Sequence, residues 1–133
     1  MFVTPLYAGI LALWFVWLSA RVVKLRMGGI SFGDNNDVNV TRIVRAQANF
    51  AEYVPFALLM MGFLEAGRTS IYLLHALGIV LVVSRVLHGV ALSFGSMRRF
   101  GRVSGAALTF IVLAIEAILC IYRGLRGQSI WLQ

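Results

Sequence analysis

The chain has 133 residues, of which 60% are hydrophobic and only 13% charged, and its formal net charge is +7. A soluble domain is about 45–50% apolar and about 25% charged, and a small domain leaves too much surface exposed to hide such an apolar excess. Composition therefore excludes a water-soluble enzyme and makes lipid part of the solvent. The basic balance belongs to helix ends and loops near lipid head groups or an anionic ligand, because no module that reads nucleic acid is present.

A membrane-spanning helix needs about 20 mostly apolar residues. The first such run predicts a helix over residues 2–22, apolar from Phe2 to Ala20 and closed by Arg21, Lys24 and Arg26. Its positive charges follow the apolar stretch rather than precede it. That order points to a retained helix with its N-terminus outside, not a cleaved leader. Residues 27–40 form a polar connection with turn chemistry at Gly28-Gly29 and at Asp34 to Asp37. Asp37, Asn39 and Thr41 are candidate caps for the helix that follows.

The second helix is expected over residues 41–66. Its second half, Tyr53 to Leu64, is apolar, whereas its first half carries Arg42, Arg45, Gln47, Asn49 and Glu52. A short turn at Gly67 leads into a third helix over 71–94, which holds Arg85 and His88. A basic segment from Gly95 to Gly101, with Arg98 and Arg99, runs to Arg102. The fourth helix is expected over 103–122 and contains Glu116. The fold class is thus an all-α membrane protein, one four-transmembrane-helix bundle over residues 1–133. The 1–2 and 3–4 connections and their flanks hold eight basic residues, against three (Arg68, Arg123 and Arg126) on the other side. That bias places both connections in the cytoplasm and both termini outside.

Chemistry concentrates in the second helix. Arg42, Arg45, Asn49 and Glu52 follow a 3-4-3 spacing and share one face. Glu52 lies ~16 Å along the helix from Thr41, near mid-bilayer if the helix starts at the interface. A carboxylate there must face protein or a polar cavity and find a partner, and Arg45 and Arg85 are the candidates. A device for packing helices does not need this many charges, so the stripe reads as functional. Arg85 and His88 stand one turn apart on helix three, whereas His75 has no such company and reads as structural. Glu116 is expected to neutralise Arg85 or to meet another subunit. Cys120, the single cysteine, excludes an intrachain disulfide and reads as a small buried residue. No spacing suits a metal, and no nucleophile–histidine–aspartate triad or phosphate loop is present. Gly101 and Gly105 suit either close helix packing or a turn.

The run Arg45-Ala46-Gln47-Ala48-Asn49-Phe50-Ala51-Glu52-Tyr53-Val54-Pro55 resembles the second-helix pattern R-x-Q-x-N-x-x-E-x-x-P of the MAPEG family. These are the membrane-associated proteins in eicosanoid and glutathione metabolism, which include microsomal glutathione transferases and leukotriene C4 synthase. Arg85-Val86-Leu87-His88 on helix three, the basic segment ending at Arg102, the four-helix layout and the length agree. The likeness covers essentially the whole chain and is greatest to the short bacterial branch, which implies a bacterial inner membrane.

The resemblance implies a homotrimer with glutathione as co-substrate, bound near the cytoplasmic side between adjacent subunits. It implies glutathione contacts from Arg21, Arg45, Gln47, Asn49, Glu52, Tyr53, Arg85 and His88. It gives Arg102 the catalytic role of activating the thiol, with Arg98 and Arg99 as alternatives. The activity implied is transfer of glutathione to lipophilic electrophiles, or reduction of a hydroperoxide. Two positions depart from the pattern. Leu92 replaces a tyrosine many members carry, and Ala48 stands where some have a further arginine. Leu92 supports the rival reading, a non-catalytic relative that binds a lipid or a partner protein.

Overall fold

The computed structural model describes residues 2–29, 37–94 and 98–128. They form four helices: α1 (Val3–Met27), α2 (Val38–Ala66), α3 (Ile71–Phe94) and α4 (Arg98–Gln128). The Asp34-Asn35-Asn36 part of the expected turn lies outside the described residues. α4 begins at Arg98 rather than Val103, so Arg98 to Arg102 are its first turns, while residues 95–97 of the expected basic segment lie outside the described residues; α1 continues past its basic residues to Met27.

Each helix end is set by local chemistry. Asp37 caps α2, its Oδ1 accepting the Asn39 N–H at 2.7 Å. α1 has no side-chain cap from its own Phe2. The Glu65 carboxylate at the far end of α2 does this work instead, accepting the N–H groups of Val3 and, at 2.9 Å, of Thr4. A carboxylate at a helix N-terminus satisfies donors that have no partner within the helix and opposes the positive end of the helix dipole. The α2–α3 turn passes through Arg68 at φ 57°, a left-handed conformation, and closes with Thr69 N–H donating to Leu64 O at 3.0 Å.

α2 and α3 are central. α1 and α4 pack against both of them and, among the described residues, make no contact with each other. One apolar core runs through the bundle, with Leu11 of α1, Val54, Ala57 and Met61 of α2, Leu77 and Leu81 of α3, and Val112 of α4 all buried. Phe15 stacks on Phe50 with ring centroids 5.3 Å apart, joining α1 to α2. Tyr7 presses onto Gly78, where a Cβ would fall within 2.5 Å of its ring, and its hydroxyl meets His75 Nδ1 at 2.9 Å. His75 is therefore a packing and hydrogen-bonding residue, as its isolation in the sequence implies.

The outside of the bundle is apolar. Leu13, Val16, Phe56, Phe63 and Ile118 are each more than half exposed. A water-facing surface of that kind would associate, whereas in lipid it needs no cover. α1, α3 and α4 are long and apolar enough to cross a membrane. α2 is as long but falls short in hydropathy, since its first half carries the polar stripe.

Candidate functional site

Two close helix contacts fix the site. Gly105 of α4 lies against α3 so tightly that a Cβ would come 2.7 Å from Ser84 O and 2.9 Å from His88 N. Gly101, one turn earlier, sits against Ala91 in the same way. Because α4 starts at Arg98, both glycines are inside the helix and serve packing rather than a turn. Together they bring Arg102 of α4 opposite His88 and Leu92 of α3.

At this end of the bundle, the end with the α1–α2 and α3–α4 connections, a cleft of about 280 Å³ opens between α2, α3 and α4. α2 contributes Thr41, Arg42, Arg45, Asn49 and Glu52, α3 contributes His88 and Leu92, and α4 contributes Arg102. The 3-4-3 stripe read from the sequence is therefore one wall. Three arginines and one carboxylate give the cleft a cationic balance, with a single acidic point at its membrane-interior end.

Arg85 lies beneath this wall. It is 2% exposed, donates from Nη1 to Asn49 Oδ1 at 3.0 Å and from Nη2 to Gly105 O at 3.4 Å, and its Nε has no partner. Arg85 thus positions Asn49 and ties α2 to the α3–α4 seam without lining the cleft itself. Tyr53 likewise stays off the lining, its ring edge-on to Phe110 with centroids 5.4 Å apart.

Several expectations change here. Glu52 faces a polar cavity, as its depth requires, but it is exposed within the single chain and bonds neither to Arg45 nor to Arg85. Glu116 does not neutralise Arg85, which is engaged elsewhere, and it is 0% exposed inside its own bundle. Gln47 and Arg21 do not line the cleft. Gln47 is two residues from Arg45, hence about 200° around the helix, on the opposite side of α2. Arg21 lies over the Trp17 ring at 5.1 Å, reaches Ser93 O at 3.5 Å, and lines a separate hollow with Lys24, Leu25, Gly28 and Ile43. Arg98 and Arg99 fall on the first turn of α4. Thr41 and Arg42 are additions to the expected site set. Arg42 was already marked by its place in the stripe, and Thr41 by standing one turn before Arg45.

Among the described residues no group of histidine, cysteine and carboxylate side chains suits a metal ion. What the cleft offers is recognition of a small, mainly anionic molecule that carries one cationic group. Arginine forks suit carboxylates, and Glu52 suits an ammonium group.

The inner membrane protein YecN of Escherichia coli K12 is 32% identical over 117 residues, covering 87% of this chain and 88% of the relative. YecN from Escherichia coli O6:H1 strain CFT073 matches to the same extent. The model of the MAPEG family matches residues 4–122, all four helices and the whole cleft included, and the chain belongs to that family.

Proposed function

We propose that the protein is a glutathione-dependent transferase of a bacterial inner membrane, assembled as a homotrimer, acting on lipophilic electrophiles. The observation that carries this reading is the cleft: Arg42, Arg45, Arg102, Asn49, His88 and Glu52 converge at one end of a bundle whose remaining surface is apolar. Glutathione has two carboxylates, one ammonium group and one thiol. The arginines take the carboxylates, Glu52 takes the ammonium group, and Arg102 stands near the thiol.

A free thiol has a pKa near 8.5 and is mostly protonated at neutral pH. Lowering it by ~2 units takes about 2.7 kcal/mol of preferential stabilisation of the thiolate, within reach of a partly desolvated arginine. The thiolate sulfur then forms a bond to an electrophilic carbon as the leaving group departs, or attacks the terminal oxygen of a hydroperoxide, breaking the O–O bond to release an alcohol and leaving a sulfenic acid that a second glutathione converts to the disulfide and water. The apolar acceptor approaches through lipid, which is the reason for such an enzyme to be a membrane protein.

Assembly is supported by what one subunit leaves open. Arg45 and Glu52 are exposed on a membrane helix, and charges at that depth are disfavoured against lipid. Gln47 and Arg21 sit away from the cleft of their own subunit, so packing of α2 against neighbouring copies would cover the charges and complete a site between subunits.

The test is ultraviolet difference absorbance of the detergent-solubilised protein titrated with glutathione near neutral pH. A saturable thiolate signal that disappears in Arg102→Ala is expected, with turnover lost far more than affinity. Equal losses in turnover and affinity would refute a thiol-activating role for Arg102. Glutathione binding with no thiolate signal would favour the non-catalytic reading, for which the aliphatic Leu92 in the cleft wall is the supporting feature.

A further inference from the structure

α4 turns one face to the bundle. Gly101, Gly105, Thr109, Val112 and Glu116 succeed each other at helical spacing, and all are buried. The hydroxyl on this face has polar partners. Thr109 donates to Gly105 O at 2.8 Å and lies 3.0 Å from Ser84 Oγ, whose single proton goes either to Thr109 Oγ1 or to Leu81 O at 2.7 Å. Glu116 is the exception. It is 0% exposed, and neither of its oxygens has a hydrogen-bond partner.

Among the described residues no charged group compensates it, and α4 packs against α2 and α3 alone. On α2, Arg42, Arg45 and Glu52 are at the cleft, Tyr53 packs on Phe110, and Glu65 caps α1. On α3, Tyr72 is 84% exposed, His75 is bonded to Tyr7, Arg85 to Asn49 and Gly105, and His88 lines the cleft. On α4 itself, Arg102 is at the cleft, Arg123 lies against Gly67, and Arg126 stacks on Tyr122. Cys120, one turn beyond Glu116, points its thiol at Met60 O, 3.7 Å away.

We propose that Glu116 is held in the folded bundle as the neutral carboxylic acid, making the buried face of α4 a proton-dependent lock. An ionised carboxylate without a partner in an apolar interior is far costlier than a neutral acid, which forgoes only hydrogen bonds. Ionising Glu116 would demand water or a cation inside the bundle. The same face of α4 carries Gly105, which packs on His88 and so shapes the cleft. In the unfolded chain a glutamate is ionised at neutral pH, so unfolding releases a proton and the folded-to-unfolded ratio falls as the pH rises.

Glu116→Gln keeps the shape and cannot ionise, and the full-length protein in detergent is the sample for both measurements. Infrared difference spectra of wild type against the variant at neutral pH are expected to show a protonated-carboxyl C=O band belonging to Glu116. Glu116→Gln is expected to melt higher than wild type, with a gap that widens between about pH 6 and pH 8. Carboxylate bands alone in the difference spectrum, or equal pH slopes in melting, would overturn the proposal. If the variant does not fold, the wild-type infrared pH titration decides: an acid band persisting at about pH 8 supports the lock, and its absence overturns it.

Discussion

Gly105→Ala is the sharpest probe of the architecture behind the cleft. The added Cβ would stand 2.7 Å from Ser84 O, 2.8 Å from His88 Cβ and 2.9 Å from His88 N. Two of these atoms are backbone and the third is the first side-chain carbon, so no rotamer change relieves the overlap and α4 must move away from α3. Overpacking of this kind costs about 1–3 kcal/mol. Alanine returns up to about 1 kcal/mol through its greater helix propensity. The net expectation is a loss of about 1–2 kcal/mol, a 5–30-fold change in the folded-to-unfolded ratio, read as a lower melting temperature in detergent. Gly62→Ala is the internal control, since a Cβ there meets nothing within 4 Å, and it should melt at or slightly above wild type. Separating α4 from α3 also draws Arg102 away from His88, so the glutathione thiolate signal should fall in Gly105→Ala and not in Gly62→Ala. Equal melting temperatures and equal thiolate signals in the two variants would refute the close seam.

Three further outcomes follow from the hydrogen bonds and the cleft. Glu65→Ala leaves the first N–H groups of α1 without their acceptor and should cost about 1 kcal/mol of thermal stability, with Glu65→Gln losing less because it keeps one acceptor oxygen. Asn49→Ala removes the acceptor of a buried guanidinium and should destabilise the bundle by about 1.5–3 kcal/mol, measured by thermal melting; a neutral result would mean Arg85 finds another acceptor. Glu52→Gln, at an exposed position with no partner among the described residues, should leave monomer packing intact while weakening glutathione binding about tenfold or more by isothermal titration; unchanged affinity would remove Glu52 from the ammonium site.

Lipid exposure and the number of helices were legible from composition and from the lengths of the apolar runs, since these depend on transfer of side chains from water and not on which helices touch. The stripe of Arg42, Arg45, Asn49 and Glu52 was legible for a similar reason: helical periodicity alone puts residues at that spacing on one face. Helix ends were less so. α4 starts earlier than its apolar run because Arg98 to Arg102 form helix whether or not lipid surrounds them.

The tertiary structure decided everything that depends on which face meets which neighbour. It turned the Arg45 face of α2 to the cleft and the Gln47 face away from it, gave Arg85 to Asn49 and Gly105 rather than to a carboxylate, and sealed Glu116 inside its own bundle. It also turned Glu65, an unremarked residue at the end of α2, into the cap of α1. One sequence fixes the angle of each side chain about its own helix, but the partners it meets depend on how four helices rotate and settle against each other. Here that is set by close contacts such as Gly105 on His88 and Tyr7 on Gly78, which the order of residues along the chain does not reveal.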